Sequence, residues 1–190
     1  MTEPAIVLIG PMGAGKTSIG KRVARQLGLR FADSDAAVVR AHGPIDRIFA
    51  EYGEPHFREL ERAAVAEALR AGGVVALGGG AVLHPQTQRD LADHRVVLLT
   101  VSPHNVAARI RGGKRPLLAD GDAIARWHEI YAARRPVYER LADVVFDTST
   151  GPLQDVADAL AAWLAGTAAA GPAGDTPATD SATTHPGETP

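Results

Sequence analysis

The residues Gly10-Pro11-Met12-Gly13-Ala14-Gly15-Lys16-Thr17 match G-x-x-x-x-G-K-[ST] at every fixed position. Such a segment can wrap a chain of phosphates. Its glycines let successive backbone N–H groups turn inward around one anion. Gly13, Ala14, Gly15 and Ser18 are the expected backbone contacts. Lys16 would bring positive charge to the β- and γ-phosphates, and the Thr17 hydroxyl would be a ligand for Mg²⁺. The chain has 17 arginines and only three lysines, so a lysine in this slot is informative. Nucleotide binding follows from the motif.

A P-loop serves kinases, GTPases and larger ATPases alike. The chain has no guanine-reading N-K-x-D, and 190 residues leave no room for the further parts of a large ATPase. A small-molecule kinase of the nucleoside monophosphate kinase type is what remains.

Four other constellations could do chemistry. Asp33-Ser34-Asp35 suits a solvated turn and suits equally a ligand site at the carboxyl edge of a sheet. Arg58 and Glu61 stand three apart on a helical pattern, the spacing of an ordinary surface ion pair. Arginine is also the side chain whose planar fork matches a carboxylate. Gly78-Gly79-Gly80 costs backbone entropy, which close approach of a ligand explains better than a loose strand exit. Arg111-Gly112-Gly113-Lys114-Arg115-Pro116 joins glycine hinges to basic groups, as a lid over phosphates would.

The elements that would position these residues alternate along the chain. Apolar runs at Ala5–Ile9, near Phe31, at Val74–Leu77, Val96–Val101 and Val144–Phe146 read as strands. Helical patterns fill Thr17–Leu27, Ile45–Tyr52, Pro55–Ala71, Pro103–Ile110, Ile124–Leu141 and Leu153–Leu164. Five strands alternating with helices predict an α/β, three-layer P-loop NTPase fold, its parallel sheet flanked by helices. Length and an ordinary 45% hydrophobic content fit one domain, expected over residues 1–165. Residues 166–190 hold no Leu, Ile, Val or aromatic side chain and are expected to be a disordered tail. With no cysteine, neither disulfides nor thiolate metal sites are possible. A net charge of −2 gives no sign of a nucleic-acid partner, and no apolar run is long enough to span a membrane. The N-terminus lacks the basic start of a signal peptide, so a cytoplasmic protein is expected, and a monomer.

Taken in order, the P-loop, Asp33-Ser34-Asp35, Gly53-Glu54 with Phe57-Arg58-Glu59-Leu60-Glu61, the triple glycine, and Arg115-Pro116-Leu117-Leu118 with Arg134-Arg135-Pro136-Val137-Tyr138 resemble the shikimate kinase family over about residues 4–165. The resemblance implies transfer of the γ-phosphate of ATP to the 3-hydroxyl of shikimate, on the way to chorismate and the aromatic amino acids. It implies a substrate-binding segment of about 33–62 and a lid of about 111–122. It implies that Asp33 holds Mg²⁺ and that Asp35 bonds the acceptor hydroxyl and takes its proton. It implies that Arg58, held by Glu61, and Arg134 read the substrate carboxylate, with Gly79 and Gly80 beside them. Arg134 is favoured over Arg135 by its register with Pro136. Arg115 is implied as the lid arginine that closes on the phosphates, with Lys16 and Asp35 as its catalytic partners. Arg109 or Arg111 would cover adenine, the segment before the lid arginine being one or two residues shorter than the family pattern. Pro152 would touch adenine from a short loop, Thr148–Pro152, that lacks an arginine common in relatives. Two rivals remain at this point: a gluconate-type sugar-acid kinase, and a nucleotide-binding regulator without catalysis.

Overall fold

The computed structural model describes residues 3–110 and 123–169. Five strands, β1 (Ile6–Ile9), β2 (Phe31–Asp33), β3 (Val74–Ala76), β4 (Arg95–Thr100) and β5 (Val144–Asp147), form one parallel sheet in the order β2-β3-β1-β4-β5. Seven helices surround it among the described residues: α1 (Lys16–Gln26), α2 (Ser34–His42), α3 (Ile45–Ala71), α4 (Pro85–Asp90), α5 (Pro103–Ile110), α6 (Ala123–Leu141) and α7 (Leu153–Ala169).

Every residue of β1 is buried, because helices cover both faces of the sheet. Side-chain alternation then divides the strand between two cores. Ile6 and Leu8 pack with Ile19 and Val23 of α1 and Leu160 of α7. Val7 and Ile9 pack with Val65 and Leu69 of α3 and Tyr138 of α6. A third, smaller cluster of Val38, Ile48 and Phe57 ties α2 to the first half of α3. It gives the segment that holds Asp35 and Arg58 a core of its own.

The strand order decides what can meet. β2, β3 and β1 lie side by side, with Ala32 and Val7 both in register with Val75. The segments leaving their carboxyl ends are therefore neighbours: Asp33 from β2, the triple glycine from β3 and the phosphate loop from β1. Ligands bind along such an edge in open α/β sheets.

Three features depart from the sequence expectation. Helix α2 lies where only a turn or site was read, because Asp33 is its N-cap and accepts the Ala36 N–H at 3.0 Å. The same short acidic run that suits a turn also starts a helix. The two helical patterns 45–52 and 55–71 run together as α3, broken at Gly53, which has φ 81° and ψ 170°. Pro55 is tolerated because it sits in the first turn after that break. Helix α7 continues to Ala169, into the segment expected to be a tail. Arg95 explains the extra turn, since it donates to the Thr167 hydroxyl at 3.1 Å and to the Leu164 carbonyl at 3.4 Å.

Candidate active site

A cavity of about 660 Å³ opens at the carboxyl edge of the sheet. The phosphate loop forms one end, with Gly13, Gly15, Lys16, Thr17 and Ser18 in its wall. Gly13 and Gly15 have φ of 84° and 86°, in the left-handed region that favours glycine. Gly15 caps α1 in that conformation, which turns the first N–H groups of the helix toward the cavity. Ala14 is fully buried beneath the turn. Lys16 Nζ lies against the loop itself, donating to the carbonyls of Gly10 at 2.8 Å and Pro11 at 2.9 Å.

Thr17 and Asp33 meet directly. The Thr17 hydroxyl donates to Asp33 Oδ2 at 2.6 Å, while Asp33 Oδ1 caps α2. The two side chains expected at a Mg²⁺ ion thus form one oxygen pair at the junction of two elements. Two residues on, in the first turn of α2, Asp35 faces into the cavity. Burial pushes its carboxyl above the ordinary range and Asp33 adds to the rise; Lys16 and Arg58 pull the other way. Between the two acids, Ser34 is wholly buried and its hydroxyl accepts the Gly78 N–H at 2.9 Å. That bond ties α2 to the triple-glycine turn.

The far end of the cavity is built around Arg58. Arg58 Nη1 donates to Glu61 Oε2 at 2.7 Å. Its other edge donates to Glu54 Oε1, from Nη2 at 2.7 Å and from Nε at 3.2 Å. Glu61 is almost completely buried. Burial raises its pKa; Arg58 opposes that rise and Asp35 adds to it. Phe57 and Phe49, rings 4.9 Å apart, give this end an apolar wall.

Two of the three glycines are explained by these side chains. A Cβ on Gly78 would collide with the carboxylates of Asp35 and Glu61, and one on Gly80 with the Arg58 guanidinium. The Cβ position of Gly79 lies 3.7 Å from Arg134 Nη1 and equally far from the Gly10 carbonyl and the Met12 nitrogen. Gly79 therefore sits where the phosphate loop and the second arginine converge. Gly79 and Gly80 both line the cavity.

Helix α6 closes the remaining side, where Arg134 is joined by three aromatic residues to which the sequence reading assigned no role. Trp127, Tyr131, Arg134 and Tyr138 follow at i, i+4, i+7 and i+11, one face of a helix. The Trp127 indole donates to the Met12 carbonyl at 2.9 Å, and the Tyr138 hydroxyl donates to the Gly79 carbonyl. Burial pushes the Tyr138 phenol up to about 12, against the opposing pull of Arg134. The signal was present in the sequence, since Trp127 precedes Arg134 by one heptad. Arg135 points elsewhere, to Glu139 on the helix surface at 2.6 Å.

The expected adenine contacts are less gathered. Pro152 is exposed and does not line the cavity; Leu153 does, its methyls 3.5 Å from the Cβ position of Gly15. The short loop before it is fixed by hydrogen bonds. The Ser149 hydroxyl donates to Asp147 Oδ1 at 2.6 Å and accepts the Ser102 N–H at 2.8 Å. Arg109 falls in the last turn of α5. Arg111, Arg115 and the whole expected lid of about 111–122 lie outside the described residues.

Comparison with known proteins points to one family. The family model for shikimate kinase matches residues 12–165. The chain is 44% identical over 163 residues to the shikimate kinase of Corynebacterium efficiens, covering 84% of this chain and 96% of that one. It is 45% identical over 166 residues to that of Thermobifida fusca, covering 86% and 96%. Among solved structures, the shikimate kinase of Acinetobacter baumannii in complex with shikimate superposes with a TM-score of 0.82 at 33% identity, covering 87% of this chain and 95% of that chain.

Proposed function

The chain belongs to the shikimate kinase family, and from that premise we propose how its residues divide the work. The protein is an ATP-dependent phosphotransferase that converts shikimate to shikimate 3-phosphate. The observation that carries the division of roles is the cavity itself, which the phosphate loop, Asp35, Arg58 and Arg134 all line.

Gly13, Ala14, Gly15 and Ser18 hold the phosphates of ATP through backbone N–H groups. Lys16 neutralises the β- and γ-phosphates once its ammonium exchanges the Gly10 and Pro11 carbonyls for phosphate oxygens. Arg109 flanks adenine, and Arg115 closes over the transferring group. Arg58 and Arg134 take the shikimate carboxylate, with Gly79 and Gly80 beneath it. The raised pKa of Asp35 suits a group that accepts the proton of the attacking hydroxyl. Phosphoryl transfer asks for position and charge neutralisation more than covalent help, and these residues provide both.

The metal is proposed as Mg²⁺. Thr17 and Asp33 offer only oxygen, the donor that this hard cation prefers. The described residues contain no cluster of three or more acidic or histidine groups able to hold a metal by themselves. That fits an ion borne mainly by nucleotide phosphates, with Thr17 and Asp33 completing its shell. When bound, Mg²⁺ supplies charge neutralisation at the phosphates. The chain is proposed to act as a monomer. Dependence on ATP supports a cytoplasmic setting.

Arg58→Ala tests the assignment. Losing one charge-assisted bond of about 1.5–3 kcal/mol raises the shikimate KM on the order of tenfold to a hundredfold. The KM for ATP stays nearly constant, and Arg58→Lys restores only part of the loss because the fork is gone. A shikimate KM unmoved by Arg58→Ala would remove Arg58 from the acceptor site.

A further inference from the structure

We propose that Glu54 is a built-in competitor for the substrate carboxylate, occupying the Arg58 fork until the acid displaces it and thereby setting the affinity for that acid. The inference rests on Arg58 being the carboxylate reader argued above.

The charges gathered at Arg58 lead to it. A guanidinium has five N–H groups, and its Nε–Nη2 edge is one of the two that can grip a carboxylate bidentately. Glu54 Oε1 already accepts from both nitrogens of that edge, and Glu61 takes Nη1. One cation is thus shared by two anions. A third carboxylate would approach net negative charge unless one of the two leaves.

The two glutamates differ in their freedom to go. The Glu61 side chain is 3% exposed and is wedged beside Asp35 and Gly78, where not even a Cβ fits. The Glu54 side chain is 48% exposed, so water can receive it. Glu54 also follows Gly53, whose left-handed φ breaks α3 at that point. Glu61 is the fixed partner and Glu54 the exchangeable one. An exposed pair at i,i+4 is weak, which is what a replaceable occupant needs. An acid that engages Arg58 and Arg134 together wins the exchange, whereas one that reaches Arg58 alone gains little over Glu54. Glu54 therefore sharpens selectivity while lowering affinity.

The experiment compares Glu54→Gln and Arg58→Ala, each assayed with shikimate and with the analogue whose carboxylate is reduced to an alcohol. Glutamine keeps the shape and a neutral acceptor but lacks the competing charge. Glu54→Gln is expected to lower the shikimate KM about two- to fivefold, the scale of an exposed ion pair. It leaves the KM for ATP and the KM for the alcohol unchanged, because neither uses the fork. A shikimate KM that is unchanged or raised overturns the proposal and makes Glu54 a support for Arg58. An equal fall for acid and alcohol overturns it too, as a general loosening of the segment. Arg58→Ala separates the underlying reading: if it raises the shikimate KM while Glu54→Gln fails to lower it, only the role of Glu54 is wrong. If Arg58→Ala leaves shikimate and the alcohol equally affected, the carboxylate reading fails and the inference falls with it.

Discussion

Asp35 combines two demands that conflict. A proton acceptor beside the transferring phosphate must be close to Asp33 and shielded from water, and both conditions penalise its charge. Because its folded pKa lies above the usual 3.8, ionised Asp35 weakens the fold. The penalty is absent below the unfolded pKa and complete above the folded one, hence present at pH 7. Asp35→Asn is therefore expected to melt at a higher temperature than the parent while turnover falls by about a hundredfold, the lower end for loss of a general base. ATP affinity should hold. A calorimetric scan and a steady-state assay on the same preparation check both halves, and a lower melting temperature would show that the ionised carboxylate is a net support. At this scale the sequence was most readable where one residue type does one job. Lys16, Thr17, Asp33, Asp35, Arg58 and Arg134 were named, and the described structure brings all six to one cavity. Trp127 and Tyr138 were given no role, since their parts depend on partners 115 and 59 residues away.

Secondary structure was legible wherever the apolar period was long. Strands β1, β3 and β4 follow unbroken apolar runs, which parallel strands buried on both faces must have. Helix α2 was missed because its nine residues expose most of one side and its cap resembles a turn. Helix α4, six residues opened by His84 and Pro85, gives even less periodicity to read. One junction between elements carries its own prediction. His94, just ahead of β4, accepts the Ala5 N–H at Nδ1 over 3.0 Å and so fixes the entry to β1. Burial lowers its pKa below 6.5, with Asp93 and Asp90 opposing. The unfolded chain therefore binds that proton more readily than the folded one. Stability from this contact is complete above pH 6.5 and is lost as pH falls through the lower folded value. Denaturant melts from pH 7.5 to 5 should show the decline, and His94→Gln should flatten it. Equal pH slopes in parent and variant would assign the decline to other groups.

For the whole molecule, the boundary of the folded unit is the point at which composition and structure disagree. Residues 166–190 have no large apolar side chain, yet Thr167 completes a bridge from Arg95 to the end of α7. A chain ending at Ala169 is expected to match the full chain in melting temperature and activity. One ending at Ala165 loses the Thr167 bond and the last helical turn, about 1 kcal/mol, or roughly 2–4 °C at this size. Identical melting curves for the two truncations would show that the last turn adds nothing. The packing of α6 has a different consequence. The chain has two tryptophans: Trp163, partly buried on α7, and Trp127, buried with its N–H on the carbonyl of Met12 in the phosphate loop. Replacing Trp163 by phenylalanine leaves a single tryptophan, whose indole dipole is coupled to the loop that any nucleotide must touch. Ligand arrival then becomes visible as a change in intrinsic fluorescence, so the protein carries its own optical gauge of occupancy with no dye attached.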